Sequence, residues 1–453
     1  MLDTVLLAMV TLLGGMLFPL RKSMPELSFQ LSLLPLTALY LALVLAWFGA
    51  GSKRASGLFA RLHDMPLSPR FSMAVIAFFL VLSTGMTVYE GRLFSSMGYS
   101  MSPAGAVLLL ASLLAVVAVL GFSSGGRHLG WSVLVSLAAI QLVSIRNFPL
   151  DPARSDMLPL IEAACKRLLS GLDPYSEYVI HDWLRLTYLP GLWLTYMPAV
   201  LLGIDPRFVN LLCLASAFLV FRHSALTAGR EAVVPALGAV FFLNPWLAFR
   251  HDVYLPVVIL QIALFSAAVL QGRVRLANAV FAWALCTYQF LWVAFPFYLA
   301  LQYRRYGSRA VLGTLAWAAG GVLLLVGPFL AWSAQQFYFG VIRSWRGAFN
   351  VETINLSYWI LGIVPLRLVK AVQAGLLLVF CALTLRRIVS GRSFLAAATA
   401  ATILVILTNQ LIWHYFFIIP PLYLLFHAVA PAPDRAGGSL PGRTDPCCLM
   451  TGD

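Results

Sequence analysis

The stretch 104–122 reads AGAVLLLASLLAVVAVLGF, with no charged residue and Ser112 as its one polar side chain. A bilayer hydrocarbon core about 30 Å thick is crossed by about 20 helical residues rising about 1.5 Å each. Hydrocarbon offers backbone amides no partner, so a stretch of this kind must satisfy its own, as a helix does. The alternation of a lipid-facing β-barrel strand is missing, which excludes that architecture.

Working outward, similar apolar runs lie at 2–20, 31–50, 71–89 and 131–145. Beyond a polar interruption they resume at 189–204, 208–221, 231–249, 253–270, 276–302, 311–332, 356–366, 368–385, 394–408 and 411–429. The expectation is an all-α, polytopic transmembrane helical bundle of about 11–14 helices. It divides into N-terminal transmembrane helices over 1–130, a membrane module over 131–430 with a long loop at 146–188, and a tail over 431–453. The tail is rich in Pro, Gly and Arg and is expected to be disordered and cytoplasmic.

The composition excludes a soluble globular domain. Of 453 residues, 61% are hydrophobic and 11% charged, against about 25% charged in ordinary soluble chains. The net charge of +14 sits mostly in short segments between apolar runs rather than in one patch. It therefore points to membrane orientation and to anionic lipid or phosphorylated substrates, and away from nucleic acid. Lys22, Lys53, Lys166 and Lys370 are the only lysines, an arginine bias typical of a GC-rich bacterial genome. Cys213, Cys286 and Cys381 fall in apolar runs, Cys165 in the polar loop, and Cys447 and Cys448 in the tail. They form no ligand spacing or disulfide framework, and neither a metal nor another cofactor is expected. The first apolar run has Arg21 and Lys22 after it and no basic region before it, so it reads as a retained helix rather than a signal peptide.

Lys53, Arg54, Arg61 and Arg70, with Arg127 before the fifth run, place those segments in the cytoplasm by the positive-inside rule. The N-terminus is then cytoplasmic and 146–188 lies on the outer side. Strict alternation would put Arg222 and Arg230 outside, whereas charge groups them with Arg273, Arg275, Arg304, Arg305, Arg386 and Arg387. Two adjustments resolve this. The run 189–204, with Pro190 and Pro198, is read as a half-crossing. The run 276–302 is too long for one crossing, and Thr287, Tyr288 and Gln289 are read as the tip of a helical hairpin. Arg250, His251, Asp252, Gln289, the loop 333–355 and 409–415 then all face the outer loop.

That loop holds Asp151, Arg154, Asp156, Glu162, Lys166, Arg167, Asp173, Glu177, His181, Asp182 and Arg185, and long charged loops are usually functional. Leu158, Ile161, Ala164, Cys165 and Leu168 recur at helical spacing, which predicts an amphipathic helix on the membrane surface with Glu162, Lys166 and Arg167 turned to water. Asp156 stands at its start, where a carboxylate is favoured by the helix dipole even without a function. The cluster Arg250-His251-Asp252 lies between two apolar runs, where charge must be paired or functional. An Arg250–Asp252 pair closing a hairpin is the alternative there.

This order of features resembles the GT-C superfamily of membrane glycosyltransferases, and within it the bacterial polyprenyl-phosphate-mannose-dependent α-mannosyltransferases. In that family an aspartate in the first large outer loop precedes an amphipathic helix ending in Gly-x-Asp-Pro-Tyr, and a Tyr-Pro-Pro-like segment opens the next membrane helix. The counterparts here are Asp156, Gly171 to Tyr175, and Tyr188-Leu189-Pro190 with Pro198 beyond. Near the C-terminus the family often shows Ser-x-x-Ser-Trp-x-His. This chain has Thr408-Asn409-Gln410-Leu411-Ile412-Trp413-His414-Tyr415, without the serines and one residue closer. It also has Leu160 where the family has a tyrosine four residues after the aspartate, and four extra helices before the module.

The resemblance implies a polyprenyl-phosphate sugar donor, carrying a hexose such as mannose, and a glycan, glycolipid or protein acceptor. Transfer would invert the anomeric carbon on the extracytoplasmic face of the inner (plasma) membrane, with membrane lipids as the other partners. A hydroxyl nucleophile needs a base, and Asp156 is the expected one, with Asp151 and Asp173 as reserves. The leaving phosphate needs fixed cations, for which Arg146, Arg154, Arg250, Arg343 and Arg346 are candidates, with His251 and His414 as further donors. Each has a plainer reading: Arg146 as an interfacial anchor, Arg343 and Arg346 on lipid headgroups, His414 in an aromatic belt. Tyr175, Tyr188, Gln289, Trp413 and Tyr415 are expected at the substrate. Tyr178, Trp183, Trp193 and Tyr196 share with the loop tyrosines the choice between sugar stacking and the headgroup region.

No Walker loop, Rossmann fingerprint or His-Glu-x-x-His helix is present, which argues against nucleotide hydrolysis and zinc proteolysis. Two other classes stay open: a transporter or flippase for lipid-linked glycans, and an O-antigen polymerase or ligase. The first would place ionisable residues at mid-membrane, often within inverted repeats; the second usually has its large outer loop late in the chain.

Overall fold

A computed structural model of the chain describes residues 2–16, 38–48, 67–93, 95–97, 99, 101–123, 128–180, 183–249, 251–343, 365–408 and 418–431. They form an all-α bundle whose one sheet, among the described residues, is a two-stranded hairpin of Glu177–Val179 and Trp183–Arg185. Five helices are long and apolar enough to cross a membrane: Pro69–Leu93, Pro103–Ser123, Leu129–Asn147, Arg207–Thr227 and Ser308–Leu325. Shorter apolar helices accompany them, including Leu2–Met16, Leu255–Leu270, Gly391–Thr408 and Ile419–Val429.

Apolar surface faces both ways. Every residue of Val234–Phe242 and of Ile419–Val429 is buried, as is nearly all of Leu255–Leu270. These short helices form the interior. Long helices surround them with outward rows such as Val107, Leu108, Val119 and Phe122, or Leu312, Leu323 and Leu324. In water such continuous apolar faces would drive aggregation, whereas lipid solvates them. Close contact inside relies on small residues: a Cβ on Gly238 would lie 2.9 Å from Phe218, and one on Gly321 would lie 2.9 Å from Ala282. Helix Leu2–Met16 packs on Val234–Phe242 and Ile419–Val429, and Pro69–Leu93 packs on Pro103–Ser123, Val234–Phe242 and Pro245–Phe249. The N-terminal helices are thus built into the same interior as the rest.

The two irregular runs break where proline and polar residues sit. Segment 189–204 becomes three short pieces, Pro190–Trp193, Leu194–Tyr196 and Met197–Leu201. The run 276–302 divides into Val274–Leu285 and Phe295–Tyr306, with Cys286, Thr287 and Tyr288 in the break and a 3-10 turn over Gln289–Ala294. Thr287 Oγ1 accepts from Gln261 at 2.7 Å. The run 231–249, read from sequence as one helix, is interrupted at Leu243 and Asn244 before Pro245–Phe249. Proline there has no N–H to continue the ladder, and Asn244 Oδ1 instead accepts from the Trp246 amide at 3.0 Å.

A buried charge cluster as the candidate functional site

Helix Leu129–Asn147 delivers the chain to the site, and Arg207 fixes its end. The Arg207 guanidinium, 2% exposed, donates to the carbonyls of Phe148 and, at 3.1 Å, Ile145, and pairs with Asp205 at 2.6 Å. A cation at a helix C-terminus satisfies carbonyls that have no helical partner.

The chain then turns on Asp151. Its carbonyl accepts from the amides of Arg154 and Ser155 at 3.0 and 3.1 Å, and its Oδ1 accepts from Ala153 N–H at 2.8 Å. Tyr99 donates its hydroxyl to Oδ2, and that bond, with burial second, pushes the Tyr99 phenol up to about 12. Asp151 is thereby committed to shaping the turn. Its effect is to send Arg154 inward.

Arg154 meets three residues that sequence separates widely. Its Nη2 donates to Glu90 Oε1, and its Nη1 lies 3.1 Å from Asp252 Oδ2 and 3.2 Å from His251 Nε2. His251 Nδ1 lies 4.0 Å from Glu90 Oε1, and the Phe148 ring covers the histidine at 5.7 Å. Because Arg154 can only donate, Nε2 is the accepting nitrogen and the imidazole proton belongs on Nδ1, toward Glu90. All four side chains are at most 4% exposed. Asn210 holds the backbone here, donating to the carbonyls of His251 at 3.1 Å and Val253 at 2.8 Å, while its Oδ1 accepts from Tyr196 at 2.6 Å.

Two carboxylates share one guanidinium, and one oxygen of each, Glu90 Oε2 and Asp252 Oδ1, is buried without a hydrogen-bond partner. A buried carboxylate with an unsatisfied oxygen is an expensive arrangement, of the kind that clusters at functional sites.

Asp156, two residues after Arg154, is half-buried at the start of helix Met157–Leu169. It makes no side-chain cap bond to that helix. Burial raises its proton affinity above the ordinary carboxylate range, its own backbone N–H opposes this, and the charge of Asp252 adds to the rise. The helix buries Leu158, Leu160, Ile161, Ala164 and Cys165 and exposes Lys166, as the spacing predicts, whereas Glu162 and Arg167 are half-buried, the Arg167 guanidinium lying 5.1 Å over the Tyr178 ring. It closes on Gly171 at φ 71°, with Leu172 N–H bonded to Arg167 O at 2.9 Å and Gly171 N–H to Leu168 O at 3.0 Å, a glycine-terminated helix end.

The remaining candidates are distributed as follows. Tyr188 is near Asp156 electrostatically, its phenol raised by burial first, then by Tyr254 and Asp156. Its ring lies 4.7 Å from Tyr254, which lies 5.9 Å from Tyr288, so an aromatic row runs to the 286–289 break. Gln289 sits at that break, half-buried, with Nε2 unpartnered. Tyr175 serves another end: 1% exposed, it donates to Tyr188 O at 2.9 Å, accepts from Trp193 Nε1 at 3.1 Å, and packs on Phe337 at 4.8 Å. Asp173 Oδ1 accepts from the Tyr175 amide at 2.9 Å. These bonds staple the loop. Arg343 is exposed over Phe339 at 4.7 Å, beside Arg185, and Arg146 is exposed on the last turn of its helix; neither joins the cluster. Arg250, Arg346, Trp413, His414 and Tyr415 lie outside the described residues.

Sequence reading missed Glu90, which followed the run 71–89 as if it merely ended it. The signal was an acid within an apolar stretch long enough to span. It also left Asp252 with Arg250 as its candidate partner, whereas Arg154 is the partner the described residues show. Among them no group of His, Cys, Asp and Glu is arranged to hold a metal ion.

No protein-family model, no curated protein and no solved structure matches this chain.

Proposed function

We propose that the protein is a membrane glycosyltransferase moving a hexose such as mannose from a polyprenyl-phosphate donor to an acceptor hydroxyl on the extracytoplasmic face. The observation that carries this reading is Asp156: a half-buried carboxyl of raised proton affinity at the head of an amphipathic helix, two residues after the buried Arg154 guanidinium.

In a single inverting displacement, the acceptor O–H loses its proton to Asp156 as its oxygen bonds the anomeric carbon. The bond from that carbon to the donor phosphate oxygen breaks, and the electron pair leaves on polyprenyl phosphate. A base works best when its proton affinity is raised toward the working pH. The growing phosphate charge needs cationic donors, and among the described residues Arg154, two residues before Asp156, is the candidate. Of the row Tyr188–Tyr254–Tyr288, only Tyr188 is half-buried and could turn a ring face to a sugar. In a polytopic bundle the donor's isoprenoid chain stays in lipid, which suits an enzyme whose outward faces are apolar.

One observation favours transport of a lipid-linked glycan instead: Glu90 is a fully buried acid on a spanning helix. Its place, three residues before the end of Pro69–Leu93, puts it near the rim rather than at mid-membrane, where a transporter site would sit.

The test is release of free polyprenyl phosphate by purified protein in nanodiscs, across a panel of polyprenyl-phosphate hexoses and candidate acceptors. Acceptor-dependent release names the donor. Donor translocation without release would support the transport reading.

A further inference from the structure

Helix Leu129–Asn147 has two ends, and only its C-terminal end leads to the charge cluster. At its start lies an open cavity of about 830 Å³. The first turns of Pro69–Leu93 and Leu129–Asn147, the last turns of Pro103–Ser123 and Arg207–Thr227, and the turn into Val234–Phe242 enclose it. A helix of 19 residues spans about 28 Å, so the cavity is no part of the transfer site. Charge between the helices assigns this end of the bundle to the cytoplasm.

The wall combines a cation with donors that lack acceptors. Arg222 lines it, with its guanidinium over the Trp131 ring at 4.6 Å and 3.6 Å from an oxygen of the half-exposed Glu231, beyond hydrogen-bond reach. Among the described residues that guanidinium donates no hydrogen bond. Ser72 is 2% exposed, and its hydroxyl has no partner among the described residues either. His128, the residue before helix Leu129–Asn147, makes no side-chain cap bond to it. The first amides of a helix have no acceptor within it, and Leu129 and Gly130, which supply them here, are on the wall. A guanidinium fork, a spare hydroxyl and the positive end of a helix around one space suit an anion with several oxygens. Leu226, Val234 and Pro235 make the rest of the lining apolar. The volume falls in the range of small-molecule sites, about 300–1,000 Å³, so it has room for the carbon to which such an anion is attached.

We propose that this cavity binds a phosphate ester, with Arg222 as its principal donor and Glu231 as the carboxylate that competes for that arginine. The ester is carried by a lipid headgroup from the surrounding leaflet or by a soluble compound of the same chemistry. A phosphate takes both arms of the guanidinium fork, which the carboxylate at 3.6 Å does not. The site is independent of the transferase reading.

The experiment is native mass spectrometry of the full-length protein in detergent, titrated with dioleoyl phosphatidic acid and, as the lipid without a phosphate, dioleoylglycerol. The wild type is expected to retain one tightly bound phosphatidic acid and no dioleoylglycerol at the same concentration. Arg222→Gln should weaken that binding about tenfold or more, the effect of one lost charge-assisted hydrogen bond. Ala232→Trp changes no charge and fills the cavity from an exposed position on its wall, and it should weaken binding as much. Glu231→Gln should act in the opposite sense and tighten binding about two- to fivefold, since an exposed ion pair of modest strength no longer competes. Loss of a merely structural contact would not tighten it. Glycerol 3-phosphate should displace the lipid at comparable concentration if the ligand is soluble, and fail to do so if the headgroup needs its acyl chains; either result upholds a phosphate site. Wild-type affinity in Arg222→Gln or in Ala232→Trp overturns the proposal, as does dioleoylglycerol held as tightly as phosphatidic acid. If Arg222→Gln does not fold, Ala232→Trp alone decides. Asp156→Asn should retain the lipid as the wild type does, so this site and the transferase reading stand or fall separately.

Discussion

Asp156 owes its proton affinity to a position that is unfavourable for a charge, and the cost should be visible in stability. Its folded value is raised, so the folded state holds the proton more tightly than the unfolded chain does. Stability then falls as pH rises through the interval that begins at the ordinary aspartate value and ends at the folded one. Asp156→Asn removes this loss. The variant is expected to melt above the wild type at neutral pH, with the difference vanishing below the ordinary aspartate range; equal melting at neutral pH would contradict the burial argument. This residue was legible in sequence because an acid preceding an amphipathic repeat has few neighbours to confuse it. Glu90 was not, since its importance depends on Arg154, 64 residues away. Nor was the fate of Tyr175, whose hydroxyl reaches partners 13 and 18 residues on. A tyrosine that closes a loop and one that stacks on a sugar look alike until the fold chooses.

At the level of elements, length and polarity foretold the broken run better than they foretold its contacts. Thr287, Tyr288 and Gln289 sit in a run too long for one crossing, and the chain breaks there. The break is then pinned by something no spacing reveals: Gly191 N–H donates to Cys286 O at 2.7 Å, and a Cβ on Gly191 would lie 2.6 Å from that same oxygen. Trp283 Nε1 adds a bond to Gly191 O at 3.1 Å. Gly191→Ala must push the two backbones apart, and overpacking of this kind costs about 1–3 kcal/mol. A melting temperature lowered by several degrees is expected, whereas Gly313→Ala, on helix Ser308–Leu325 with open space around it, serves as the control for a glycine-to-alanine change alone. An unchanged melting temperature for Gly191→Ala would show that the contact is loose. The interruption at Asn244 could have been anticipated from Pro245, but a continuous apolar run outweighed one proline in the reading.

For the whole molecule, composition was enough to predict a helical bundle in lipid, and the outward apolar faces of Pro103–Ser123 and Ser308–Leu325 agree with it. Orientation rests on charge between helices. A cysteine placed by Lys166→Cys, exposed on helix Met157–Leu169, is expected to react with a membrane-impermeant maleimide added to intact cells whose outer membrane has been permeabilised. The variant is made with Cys381, Cys447 and Cys448 replaced by serine, while Cys165, Cys213 and Cys286 are buried and contribute little background. Labelling only after lysis would place the loop, and Asp156 with it, on the cytoplasmic side. The role of Asp156 is tested by single-turnover release of polyprenyl phosphate in nanodiscs by the wild type and by Asp156→Asn, each preloaded with the donor that the panel identifies. Acceptor-dependent release by the wild type is expected, with a rate lower by about 10²- to 10⁴-fold in Asp156→Asn and donor still bound; release at the wild-type rate by Asp156→Asn would rule Asp156 out as the base.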